Sequence, residues 1–181
     1  MRSNQTKLLV LSALLAALSV VILSIGSFIE VLDLSAAMLA SLLIVIAVIE
    51  GGKVRATLTF FTTALIGFIL LPVKLPALIY ALAGYYPVVK ALIEKIKNRA
   101  LGTVLKLLFF NLMLTLFLLF VRLFVPTFEI FPELELDKVL PYVIAYGLGN
   151  LTFVLYDVLL TKVIVLYIFR IRHKLGLDKH R

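Results

Sequence analysis

The chain has no cysteine and no tryptophan, and its two histidines, His173 and His180, both lie in the C-terminal tail. Without cysteine, disulfides and thiolate metal sites are excluded. Without a histidine among the apolar segments there is no imidazole chemistry inside the molecule, so no metal site is expected there. No Gly-x-x-x-x-Gly-Lys-Ser/Thr phosphate loop occurs, so the chain supplies no such ATPase of its own. Low-complexity segments and internal repeats are also missing. Charge is sparse, at 15% of residues.

What the chain does have is apolar length. Hydrophobic residues make up 63% of its 181 positions and the mean hydropathy is +1.15, where soluble domains run at about 45–50% apolar. The excess sits in blocks long enough to cross a hydrocarbon core, which takes about 20 helical residues. Six spans are expected, near residues 7–29, 34–49, 55–71, 76–93, 103–125 and 141–169. Together they make one all-α integral membrane domain over 1–181, a six-transmembrane-helix bundle. The first block is too long for a signal peptide and has no clear small-residue cleavage site before Glu30 and Asp33. Glu50-Gly51-Gly52-Lys53 reads as a tight turn. Pro87 lies inside the fourth span and should bend it, because proline removes an amide donor and crowds the preceding turn. Continuous rather than alternating apolar runs argue against a β-barrel.

The net charge of +8 raises nucleic acid as a partner, but the charges fall where cytoplasmic loops would be. With the N-terminus inside, every lysine and arginine except Lys74, Arg122 and Lys138 lands on the inner side. Glu30, Asp33, Glu129, Glu133, Glu135 and Asp137 land outside. An even number of spans then returns the C-terminus to the cytoplasm. The expected location is the cell membrane, multi-pass, with the lipid bilayer and not nucleic acid as surroundings.

Few polar residues interrupt the spans. Asp157, in the sixth, has apolar neighbours on both sides; an intramembrane carboxylate is a functional candidate by default. Asn111, Lys90 and Lys162 are the partners the sequence offers it. A structural clamp and a proton or ion site are the two readings. Intramembrane proteolysis needs a Ser/His pair, an aspartate pair or a histidine-rich metal site, so no catalytic residue is expected and the chain is not read as an enzyme. Arg122, near the outer end of the fifth span, either snorkels, pairs with a carboxylate such as Glu129, or presents its planar donor fork to an anion. Lys74 adds a second outer cation between Pro72 and Pro76. Tyr80 brings a hydroxyl on the fourth span, and Tyr142, Tyr146 and Asn150, four apart, form one stripe on the sixth. Glu30 and Asp33 sit in the first outer loop.

The first span carries Ala13 and Ala17 on one face, and Ala36 and Ala40 repeat the spacing on the second. Small residues at this interval let helices approach closely in lipid, either within the chain's own bundle or with another protein. The opening Lys7-Leu-Leu-Val-Leu-Ser-Ala13-Leu-Leu-Ala-Ala17-Leu resembles that of the substrate-binding (S) components of energy-coupling factor (ECF) vitamin importers. That family has six helices, cytoplasmic termini and roughly this length, and an Ala-x-x-x-Ala motif in its first helix, matched by Ala13 and Ala17. The resemblance implies docking to a transmembrane coupling subunit and two ABC ATPases, and capture from outside of a small vitamin-like solute. It places the pocket in the outer halves of helices four to six, capped by loops; Arg122, Lys74, Tyr80, Tyr142, Tyr146, Asn150, Glu30 and Asp33 are the candidates to line it. No cofactor is implied. No vitamin-specific signature accompanies the motif. A non-transporting scaffold, resembling the rod-shape-determining membrane proteins, is the alternative of a different class.

Overall fold

The computed structural model describes residues 2–124 and 140–172, and among these it contains helices and turns but no strand. The helices are α1 (Arg2–Phe28), α2 (Asp33–Ile46), α3 (Gly52–Leu70), α4 (Leu75–Ala83), α5 (Tyr86–Ile93), α6 (Arg99–Phe124) and α7 (Leu140–Leu166). Wider π-type turns, Ala47–Gly51 and Tyr167–Ile171, extend α2 and α7. Among the described residues, five helical stretches are long and apolar enough to cross a membrane: Gln5–Phe28, Asp33–Leu70, Leu75–Ile93, Arg99–Phe120 and Leu140–Arg170.

The second stretch, of 38 residues, would be roughly 57 Å long if straight, nearly twice a hydrocarbon core. It is not straight. Gly52 has φ +77° and ψ 174°, a backbone region open essentially to glycine alone. Beyond it the chain reverses. The start of α2 and the end of α3 lie beside the same end of α1. A Cβ built on Gly26 would stand 2.6 Å from that of Ala36, and one on Gly67 would meet Leu23 at 3.6 Å. The turn expected at Glu50–Lys53 is therefore the place where α2 hands over to α3.

Two compact units divide the chain: residues 1–95 with 162–181, and residues 96–161. In the first, α1 packs against α2 and α3 through small side chains. Ser19 is fully buried, its single hydroxyl proton shared between Leu15 O at 2.8 Å and Ala40 O at 3.4 Å. Ala36 and Ala40 are buried at the same seam. In lipid this close approach is stabilising through dispersion and such hydrogen bonds, since apolar burial alone distinguishes little between helix and acyl chain. Because Gly26 leaves no room for a methyl, Gly26→Val is expected to destabilise by about 1–3 kcal/mol by overpacking. Thermal melting in detergent checks this, with Gly147→Ala, whose new Cβ meets nothing within 4 Å, as the unperturbed control.

The ends of this unit are closed by specific polar contacts. Ser27 Oγ donates to Val73 O at 3.0 Å and accepts from Val73 N at 2.9 Å, clamping α1 to the link between α3 and α4. At the other end Glu50, in the turn after α2, lies 3.2 Å from Arg172 Nε and accepts from the Tyr167 hydroxyl at 3.4 Å. This ties the last helical segment to the α2–α3 turn.

The fourth expected span is two helices. It breaks at Gly84 and Tyr85, just before Pro87, which occupies the first turn of α5, where its missing donor costs nothing. Tyr85, the N-cap of α5, accepts at its carbonyl from Val88 N at 3.1 Å and Val89 N at 3.3 Å, which starts the new helix directly after the break.

Candidate functional site

The second unit is an antiparallel pair, α6 against the first part of α7, joined by three polar rungs. Asn98 starts α6 earlier than the expected Thr103, its Oδ1 accepting from Ala100 N at 3.0 Å and Leu101 N at 3.3 Å as an N-cap. Lys106 thereby falls two turns inside the helix, where the expected start at Thr103 put it in the first turn. Its ammonium meets Asp157 at 3.2 and 3.3 Å, with side chains 13% and 24% exposed. One rung further along, Asn111 and Asn150 exchange amide hydrogen bonds, both 2.9 Å. Their remaining amide protons go to Leu107 O and Tyr146 O, each at 2.8 Å, so every amide proton of the pair has an acceptor. The third rung is Thr115 with Tyr146, 2.6 Å between hydroxyls. Thr115 gives its single proton to Asn111 O at 2.7 Å, so Tyr146 is the donor between them. Phe110 stacks on Phe153, centroids 4.5 Å apart, between the first two rungs.

This seam changes the meaning of several residues. Asp157 has found a lysine that the sequence did not suggest as its partner. Asn111, offered to Asp157, belongs to Asn150. Lys90, also offered, is 1% exposed in the first unit and pairs with Glu94 one turn on, at 3.2 Å. Tyr146 and Asn150, candidates for a solute pocket, direct their polar groups to α6. Lys106 and Thr115 were not recognised as partners because the rung positions depend on the register of two antiparallel helices, and neither helix alone carries that information.

The other candidates divide between the units. Lys74 precedes α4 and donates to Leu71 O at 2.6 Å and Ile69 O at 3.4 Å, capping the carbonyl end of α3. Tyr80 is fully buried, its ring stacked on Phe60 with centroids 5.5 Å apart. Asp33 is buried in the first turn of α2, where a carboxylate complements the positive end of the helix dipole. In the second unit Tyr142 is exposed near the start of α7. The backbone places Arg122 in the last turn of α6 and Glu30 in the 3₁₀ turn Glu30–Leu32; their side chains lie outside what the structure describes. Glu129, Glu133, Glu135, Asp137 and Lys138 lie outside the described residues altogether.

The alanine pairs separate cleanly. Ala36 and Ala40 are buried within the first unit. Ala13 and Ala17 are exposed, on a face of α1 shared with Val10, Leu14 and Val21, each more than half exposed. No family model, curated protein or solved structure matches the chain.

Proposed function

We propose that this protein is the substrate-capture component of an ECF-type importer, with six membrane passes and both termini in the cytoplasm. The observation that carries the reading is the open Ala13–Ala17 face. The same spacing on α2 is consumed in the protein's own packing, whereas on α1 it faces outward among apolar side chains, as a surface for another membrane helix does. The reversal at Gly52 supports the span count, since it makes two passes of the Asp33–Leu70 stretch. The concentration of lysine and arginine at one set of helix ends supports the orientation. On this reading a coupling membrane subunit docks on α1, two ABC ATPases drive the cycle, and a small vitamin-like solute is taken up from outside.

Arg122 is the residue we assign to solute binding, with Tyr142 as a second candidate on the other helix of the same unit. The guanidinium would hold an anionic group of the solute by charge-assisted hydrogen bonds, worth about 1.5–3 kcal/mol. Arg122→Ala is therefore expected to weaken binding by about 10–100-fold, measured by equilibrium binding of the solute that co-purifies. Equal affinity in the variant removes Arg122 from the site.

A second reading, a non-transporting membrane scaffold, is favoured by one observation: Tyr146 and Asn150 are engaged across the helix pair. A scaffold retains partner proteins but binds no small solute, which separates the two in the same binding experiment.

A further inference from the structure

Glu50 receives two groups from the last helical segment: the Tyr167 hydroxyl at 3.4 Å and the Arg172 guanidinium, with Nε at 3.2 Å. Tyr167 is buried, and the side chains of Arg172 and Glu50 are only 17% and 11% exposed. Tyr167 and Arg172 are five residues apart. In an α-helix that interval turns a side chain through about 140°, so the two would leave the helix in different directions. The turn between them, Tyr167–Ile171, is of the wider π type, whose five-residue repeat brings such a pair to one face. Burial along the segment follows the same change. Val163 and Ile164 are partly buried and Tyr167 is buried, at α-helical intervals. The α-helical continuation reaches Arg170, which is exposed, and burial resumes at Arg172.

The sequence does not force this widening. No glycine or proline lies between Asn150 and Gly176, the residues at which helices usually depart from regular geometry. What the wide turn achieves is the double contact with Glu50. Glu50 itself belongs to the other wide turn, Ala47–Gly51, so both sides of the contact are built on turns that are rare in helices and recur at functional positions. We propose that Glu50, Tyr167 and Arg172 form a strap with two states. In the closed state Tyr167–Ile171 is wide and both residues sit on Glu50. In the open state that turn relaxes to α-helix and Arg172 swings off the carboxylate, which frees the end of the last helix from the α2–α3 turn. The strap rests on these contacts and not on transport, so it stands or falls separately from the function proposed above.

The test is hydrogen–deuterium exchange over residues 163–172 of the purified full-length protein in mild detergent. Glu50→Ala removes a charged acceptor, and exchange there is expected to rise by a factor of about 10–100. Deleting Phe169, which is 77% exposed, sets Tyr167 and Arg172 four residues apart, about 40° from each other on an α-helix. Both contacts can then form on an ordinary turn, and exchange is expected to be slower than in the wild type. In the Glu50→Ala background the same deletion should change nothing, because the turn has already relaxed. Melting curves confirm that each variant is folded. If Glu50→Ala is not, Arg172→Ala, at the end of the segment, replaces it and should give the same rise. Unchanged exchange on losing either side of the contact overturns the strap. So does a Phe169 deletion that exchanges as fast as Glu50→Ala. A deletion that slows exchange equally in both backgrounds overturns it too, since the wide turn would then belong to the helix and not be held by Glu50.

Discussion

Ala13→Trp/Ala17→Trp is expected to abolish retention of a coupling subunit while leaving the protein folded. Both alanines are exposed on α1, so two indoles there displace nothing inside the molecule, and the melting temperature should move by no more than surface substitutions generally do, within about 0.5 kcal/mol. A partner helix that approaches closely over two small residues cannot do so over two tryptophans, and the interface loses its central contact. The matched control is Ala36→Trp/Ala40→Trp. Those positions are 5% and 0% exposed against α1, and α1 and α2 already approach so closely that a Cβ on Gly26 would stand 2.6 Å from Ala36. Bulk there is expected to unfold the first unit. The two double variants carry the same chemical change at the same spacing. One loses a partner and the other loses the fold. Co-purification from membranes, with detergent melting in parallel, reads both. Unchanged co-purification with the first variant rules out the docking face.

The second large effect concerns Lys106 and Asp157. Removing Asp157 leaves an ammonium on an apolar helix pair, and removing Lys106 leaves a carboxylate there. Breaking a fully buried pair costs about 3–5 kcal/mol; the partial exposure of both side chains reduces this to about 2–3 kcal/mol. Asp157→Leu and Lys106→Leu are each expected to destabilise by that amount, and the double variant to recover most of it, because no uncompensated charge remains. Unfolding in detergent gives the cycle. The same variants decide the role of Asp157. On the proposed importer role, a clamp predicts that the double variant regains solute uptake as well as stability. If Asp157 carries a proton or ion, stability returns and uptake does not.

Much of the architecture could be read from run lengths and punctuation. Gly51-Gly52 marked a reversal because only glycine tolerates the backbone it needs. Pro87 marked the break between α4 and α5 because it cannot continue a hydrogen-bonded turn. The helices lie near the apolar blocks, but α1 begins at Arg2 and α6 at Arg99, each about a turn before the expected start. Side-chain partnerships were far less legible. Ala13–Ala17 and Ala36–Ala40 are identical patterns, and only the packing tells which is used internally. Lys74, placed between prolines as an outer cation, turns back onto the end of its own preceding helix. Tyr80 looked like a hydroxyl available to a pocket, and its ring is stacked in the core. Tyr146 and Asn150 lie on one stripe as their spacing required, but what they face depends on the pairing of α6 with α7, and periodicity along one helix carries nothing about the register of the next.

The protein's proposed role as a capture component is tested most directly by native mass spectrometry of the untagged complex extracted from its own membranes in mild detergent. The account predicts an assembly containing this chain, one further membrane subunit and two ATPase subunits, together with a small molecule that dissociates from this chain on activation. The chain alone, or held to other proteins with neither ATPases nor a small molecule, would contradict it.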